Sequence, residues 1–301
     1  MPRNTTTAMQ AFAATLRVAE RVSPEVAAAL TLPITFRVGA RLPVLAADRA
    51  VHEQARRSTV RLHHRDVAVY EWGDGADVVL LVHGWRGRAS QFGAIVRELR
   101  SEGLRLVAFD APGNGDSPGR RTDILDYLAV IEQLQQRHGR FHAIVGHSFG
   151  ALAALTAARE GTATGGVVSI AGMASTRYIV DLFTAQLGLG PMTADALAER
   201  AMQSLLPDAA PPWTRFDRVA SPLPPETPLL LVHSRDDRGV GAVESERLHD
   251  AHPGSRLLLL DGLGHNRVLR ADATLDAVTA FATGGPQAVD ALLDGVADRA
   301  A

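Results

Sequence analysis

Five aliphatic residues in a row, Val78–Val82, run into His83-Gly84 and open a pattern that recurs down the chain. A short apolar run without polar alternation suits a strand buried on both faces. Such strands belong to parallel sheets covered by helices on either side. Similar runs follow at Leu104–Asp110, His142–His147, Gly166–Ala171, Pro228–His233 and Arg256–Leu260. Between them lie stretches of helical spacing. Ser90–Arg100 sets Phe92, Ile95, Val96 and Leu99 on one side, Thr122–His138 does the same with Ile124, Leu128, Ile131 and Leu134, and Ala151–Arg159 is rich in alanine. Val67–Trp72 alternates as a strand and Gly73-Asp74-Gly75 reads as its turn. Strand alternating with helix predicts an α/β fold with a mostly parallel central sheet flanked by helices.

Two stretches depart from this alternation. Residues 1–66 read as amphipathic helices, an N-terminal helical arm ahead of the domain at 67–301. Between Gly172 and Pro228 the alternation pauses in a stretch of helical pattern with a Pro-rich end, which predicts a helical cap insertion over about 173–227. Its Tyr178, Phe183, Leu187, Met192, Trp213 and Phe216 either line a pocket or pack the insertion down. A short helix is expected after Gly284-Gly285-Pro286.

Composition narrows the chemistry. There is no Cys, and all 31 Lys+Arg positions are Arg. Thiol nucleophiles, disulfides and thiolate metal sites are excluded, as are Schiff-base and Walker A lysines. The arm holds ten Arg against five acids and the remainder is acidic, a balance without the clustered basic stripe of a nucleic-acid binder. Arg17, Arg21, Arg37 and Arg41 beside apolar residues allow a membrane-surface role for the arm; its interspersed acids favour ordinary packing. No apolar run reaches the ~18 residues of a spanning helix. Ala8–Leu32 is interrupted by Arg17, Glu20, Arg21 and Pro24 and lacks a signal-peptide pattern. The expected location is cytoplasmic, with membrane association through the arm as the alternative.

Any chemistry must then run on Ser, His, Asp, Glu, Arg or a backbone dipole, and the strongest local signal is a serine. Gly146-His147-Ser148-Phe149-Gly150 follows a buried strand and opens an Ala-rich helix, the strand–turn–helix setting that exposes a nucleophile at a tight elbow. A serine hydroxyl needs a base. Among eleven histidines His265 fits best, in Gly262-Leu263-Gly264-His265-Asn266 just after the last core strand, with His233 as the weaker alternative. His83 and His147 flank strand ends, and His63, His64, His138, His249 and His252 are expected in solvent. The base needs a carboxylate, and Asp236 or Asp237 in the loop after Leu229–His233 is placed to supply it. An oxyanion needs two N–H donors: Phe149, next to the nucleophile, and Trp85 in His83-Gly84-Trp85-Arg86-Gly87. His147, Tyr178, Phe183 and Met192 are the candidate substrate-binding residues.

Together these segments resemble the α/β-hydrolase superfamily from about Val67 to Phe281, including Asp110-Ala111-Pro112-Gly113-Asn114-Gly115-Asp116-Ser117. Two departures stand out: Asn114 where the family often has His, and an acid loop with Ser234 for Gly and Gly241 for Pro. The resemblance implies the α/β-hydrolase fold with the insertion as its cap. It also implies the order Ser148, Asp237, His265, with Asp237 rather than Asp236 as the acid. It further implies a bacterial serine hydrolase that cleaves a small-molecule ester through an acyl-enzyme, with no metal or organic cofactor. Thioesterase, lactonase, C–C hydrolase, amidase and perhydrolase activities stay open, as does a catalytically silent binding module. The arm lies outside the family core and names no substrate or oligomeric state.

Overall fold

The computed structural model describes residues 3–209 and 214–300; Trp213 lies outside the described residues. The helices are α1 (Arg3–Val22), α2 (Pro24–Thr35), α3 (Ala46–Glu53), α4 (Gly93–Ser101), α5 (Ile124–His138), α6 (Phe149–Arg159), α7 (Thr176–Leu187), α8 (Pro191–Leu205), α9 (Val243–Ala251), α10 (Gly264–Arg267) and α11 (Asp272–Ala300). The chain divides into two compact units: Met1–Arg37 with Ser175–Asp217, and Val38–Ala174 with Arg218–Ala301.

The first unit is helical. Ser23 caps α2, its Oγ accepting from the Glu25 amide at 3.1 Å, and Pro24 occupies the first turn. Leu16 of α1 is fully buried against Ala13, Leu187 and Leu189, and Ala28 of α2 against Val180 and Leu197. Phe183 packs into both clusters. Glu20 Oε1 accepts from the Gly190 amide (2.7 Å) and the Thr193 hydroxyl (2.5 Å). The expected arm and the expected cap therefore share one core. Met192 is exposed in a groove with Pro24, Glu25, Asp195 and Glu199.

The second unit carries the sheet. Its strands are β1 (Arg56–Leu62), β2 (Arg65–Trp72), β3 (Val78–Val82), β4 (Arg105–Phe109), β5 (Ala143–His147), β6 (Val167–Ile170), β7 (Leu229–Ser234) and β8 (Arg256–Leu260). They lie in the order β1-β2-β4-β3-β5-β6-β7-β8. β2 is antiparallel to β1 and β4, and every other pair is parallel. β3, β5, β6 and β7 are buried along their whole length, as their mainly apolar sequences suit; β3 is aliphatic throughout, while β5, β6 and β7 also bury His147, Ser169, His233 and Ser234. One core holds Leu81, Ala108, Val145, Val168 and Val232 of the sheet with Phe92 just before α4, Ile95 and Leu99 of α4, and Val278 and Phe281 of α11. α6 is buried on all sides from Phe149 to Ala158, and its run of alanines allows that enclosure. α11 breaks at Gly285 (φ 69°, ψ −160°) and resumes at Pro286, where the separate short helix was expected.

Three expectations change. The helical reading of residues 1–66 holds to Glu53, after which Arg56–Leu62 forms β1. Only Val60 and Leu62 of that strand face inward, so its hydropathy shows little alternation. β8 is half-exposed along its length because it lies at the sheet edge, although its sequence reads like the central strands. His138 and His252, expected in solvent, have buried side chains.

Candidate active site

The turn from β5 into α6 holds Ser148 at φ 55°, ψ −123°, a conformation that costs a non-glycine residue about 1–3 kcal/mol. Its neighbours make the turn feasible. A Cβ on Gly146 would lie 2.4 Å from Ala151 Cα, and one on Gly150 would lie 2.1 Å from the Val82 carbonyl oxygen. Both glycines of the pentapeptide are therefore demanded by close backbone approach. The Ser148 amide donates to the Ile170 carbonyl at 2.9 Å, anchoring the strained residue to β6.

His265, Asp237 and Ser148 meet at hydrogen-bond distance. His265 Nε2 is 3.0 Å from Ser148 Oγ, and His265 Nδ1 is 2.7 Å from Asp237 Oδ2. The Asp237 side chain is buried, and its Oδ1 accepts from the amides of Gly239 (2.7 Å) and Val240 (3.0 Å). Burial alone would raise its pKa. Hydrogen bonds from His233 and His265 outweigh burial and hold the carboxyl well below the usual range, so it is ionised. An ionised acceptor at Nδ1 places the ring proton there and leaves Nε2 free to take one from the serine.

The two neighbouring aspartates have separate partners. Asp236 Oδ1 accepts from the amides of Leu263 (3.1 Å) and Gly264 (3.3 Å). Ser234 Oγ accepts from the same two amides at 3.2 and 3.1 Å. Ser234, a departure from the family pattern, thus helps hold the loop that carries His265. Nothing in linear sequence marks this role, because the two segments meet only in the fold.

The loop after β3 closes on Ser148: a Cβ on Gly84 would stand 2.8 Å from Ser148 Cβ. Gly87 N donates to Gly84 O at 2.9 Å and closes a turn around Trp85 and Arg86. The positive φ of this loop falls on Arg86 (57°) and not on Gly84, and Arg86 Nε donates to the Val38 carbonyl at 2.6 Å. Gly84 is required for proximity instead. His83 sets the loop from behind: Nε2 accepts from the Ala111 amide (2.9 Å), so Nδ1 carries the proton and donates to Gly84 O (2.7 Å). Burial pushes the His83 pKa down, consistent with a neutral ring. Tyr127 adds a third donor to Gly84 O at 3.3 Å.

The two candidate oxyanion amides belong to residues in ring contact. The Trp85 and Phe149 rings meet edge to face with centroids 5.4 Å apart, and Phe149 meets Tyr127 likewise at 5.1 Å. Phe149 is the first residue of α6, where a helix leaves its N–H unpaired.

His147 ends β5, as the sequence reading placed it. It is buried, and its Nε2 donates to the His265 carbonyl at 2.9 Å, which ties it to the base loop. Tyr178 lies in the first turn of α7, its amide on Ser175 Oγ at 3.4 Å, while Phe183 is a core contact of the first unit. His233 is fully buried with both ring nitrogens occupied and does not reach Ser148 as a base would. Asn114 bonds Pro112 O within its own loop at 3.1 Å. Among the described residues no helix is long and apolar enough to cross a membrane.

A parallel sheet ending in a serine elbow, with histidine and aspartate delivered by later loops, defines a hydrolase of the α/β class. A sequence profile described as the alpha/beta hydrolase family matches residues 79–277, and the chain belongs to that family. A serine hydrolase-like protein of Dictyostelium discoideum is 32% identical over 101 residues, 31% of this chain and 28% of that protein, so the chain spans under a third of this relative's length. Esterase YjfP of Escherichia coli is 25% identical over 186 residues, 58% of this chain and 73% of the esterase. The solved structure of mouse alpha/beta hydrolase domain-containing protein 10 superposes with a TM-score of 0.59 at 18% identity, covering 80% of this chain and all of that one, a likeness of fold.

Proposed function

We propose that the chain is a serine hydrolase that cleaves carboxylic esters of small or medium acyl groups through an acyl-enzyme on Ser148. One observation carries this reading: a strained, positive-φ serine whose Oγ lies 3.0 Å from a histidine that is itself 2.7 Å from a buried aspartate. The esterase among the relatives supports the ester class.

In this reading Ser148 Oγ attacks the acyl carbon while His265 Nε2 takes its proton. The carbonyl oxygen becomes an oxyanion between the Trp85 and Phe149 amides, each worth about 3 kcal/mol in the transition state. Asp237 steadies the imidazolium. Collapse expels the alcohol, which leaves with the proton from His265, and the acyl group stays on Ser148. Water, deprotonated by His265, then attacks the acyl-enzyme; the acid departs and Ser148 regains its proton.

Fluorophosphonate labelling of the wild type against Ser148→Ala tests the reading. Wild type is expected to label and the variant not to. A folded wild type that stays unlabelled would overturn the enzyme reading in favour of a binding module. A nitrophenyl ester series run beside thioester and lactone substrates then tests the bond and the acyl length. The fastest turnover is expected on short to medium acyl esters, and an optimum on long chains or on another bond type would replace that substrate class.

A further inference from the structure

His233 is buried completely at the end of β7, four residues before Asp237. Its Nε2 faces two oxygens that only accept, Val240 O at 2.9 Å and Asp237 Oδ2 at 3.3 Å, so the ring proton sits on Nε2. Its Nδ1 lies 2.7 Å from Ser245 Oγ in the first turn of α9, where a hydroxyl can donate to the neutral ring. The Val240 amide in turn donates to Asp237 Oδ1 at 3.0 Å. The contacts close a ring, from His233 to the Val240 carbonyl, from the Val240 amide to one carboxylate oxygen, and from the other oxygen back to His233. Oδ2 is thereby shared between two imidazoles, His265 at 2.7 Å and His233 at 3.3 Å.

We propose that His233, seated on Ser245, is a positioning residue that clamps the 237–240 turn and fixes the rotation of the Asp237 carboxylate, so that Oδ2 is presented to His265. The proposal rests on the reading of Ser148, His265 and Asp237 as a triad. Its physical basis is the fate of a buried carboxylate that loses a donor. An ionised group held by four donors has one orientation. With the imidazole gone, Oδ2 keeps His265 alone, and Val240 O loses its acceptor role, freeing the turn. A carboxylate with one donor fewer also holds the imidazolium proton more tightly. The base then titrates at higher pH, although His233 touches neither serine nor substrate.

The test compares His233→Leu, which approximates the volume without a donor, His233→Gln, which keeps an N–H near the Nε2 position, and Ser245→Ala. Each is assayed on a short-chain nitrophenyl ester across pH, with active sites counted by fluorophosphonate. For His233→Leu, kcat is expected to fall about 10- to 100-fold, as for a small misplacement of catalytic groups. KM is expected to stay within about twofold and the ascending limb of kcat/KM to move up by about half a pH unit. His233→Gln is expected to restore most of kcat and the wild-type limb, and Ser245→Ala to show the same limb shift at smaller size. An unmoved limb in His233→Leu with every site still titratable overturns the clamp, and so do equal losses in the Leu and Gln variants. If His233→Leu does not fold, Ser245→Ala decides: a shifted limb supports the clamp and an unmoved limb overturns it. A wild type that does not label overturns the triad reading and the clamp with it, whereas a labelled wild type beside an indifferent His233→Leu overturns the clamp alone.

Discussion

His147 and His265 are joined side chain to backbone: His147 Nε2 donates to the His265 carbonyl at 2.9 Å, with the two rings 4.8 Å apart. The residue before Ser148 therefore holds the chain that carries His265. Burial first, and the charge of His265 second, push the His147 pKa down to about 3 from an ordinary 6.5. The unfolded chain thus takes up this proton first as the pH falls. His147 costs no stability above about pH 6.5 and an increasing amount as the pH drops from there toward 3. His147→Gln, which keeps a donor and cannot titrate, is expected to lose less stability than wild type between pH 6.5 and 4. Urea unfolding at several pH values measures this, and parallel curves would remove His147 from the acid response.

The adjacent aspartates should separate cleanly by substitution. Asp237→Asn removes the charge that fixes the His265 tautomer and is expected to lower kcat by about 10^4-fold. Asp236→Asn weakens only the hold on the Leu263 and Gly264 amides and is expected to cost less than about 100-fold. Steady-state kinetics of the two variants decide, and a larger loss at Asp236 would exchange their roles.

Gly84→Ala would set a methyl group 2.8 Å from Ser148 Cβ. The oxyanion loop must withdraw, and kcat is expected to fall about 10^2- to 10^3-fold, the cost of losing one donor. Gly84 is buried and its carbonyl is held by His83 and Tyr127, so the displacement is also expected to cost about 1–3 kcal/mol of stability. A large drop in Tm with kcat preserved per folded molecule would place the damage in the core instead.

Leu16→Ala tests the core of the first unit. The side chain is fully buried among Ala13, Leu187 and Leu189, so the truncation is expected to cost about 2–5 kcal/mol. Thermal unfolding of wild type and variant reads it, and a change under 1 kcal/mol would mean that the helices close over the gap.

The central strands were legible because burial on both faces writes itself as an unbroken aliphatic run, and the elbow because its glycines answer to contacts within a few residues. The acid required more than pattern. Asp236 and Asp237 are indistinguishable by spacing, and what separates them is that one meets a histidine and the other two amides 27 and 28 positions away. His233 reads in sequence as a second-choice base, and only its enclosure by Ser245, Val240 and Asp237 shows what the ring holds. The shared core of α1, α2, α7 and α8 was hidden for the same reason: Leu16 and Leu187 belong to segments that a linear reading treats as separate arm and cap.

β1 has one more consequence. As an outermost strand it has an edge of the kind from which edge-to-edge aggregation starts, and Arg137 of α5 already donates to the Thr59 carbonyl of that strand at 2.7 Å. Arg56, Arg57 and Arg61 stand on that strand with their side chains half or more exposed. Each stands beside an acid, Asp74, Asp116 and Asp66 in turn, so the strand carries solvated ion pairs rather than an apolar rim. The arginines that conceal the strand from a hydropathy reading are the same ones that give its surface this charged cover.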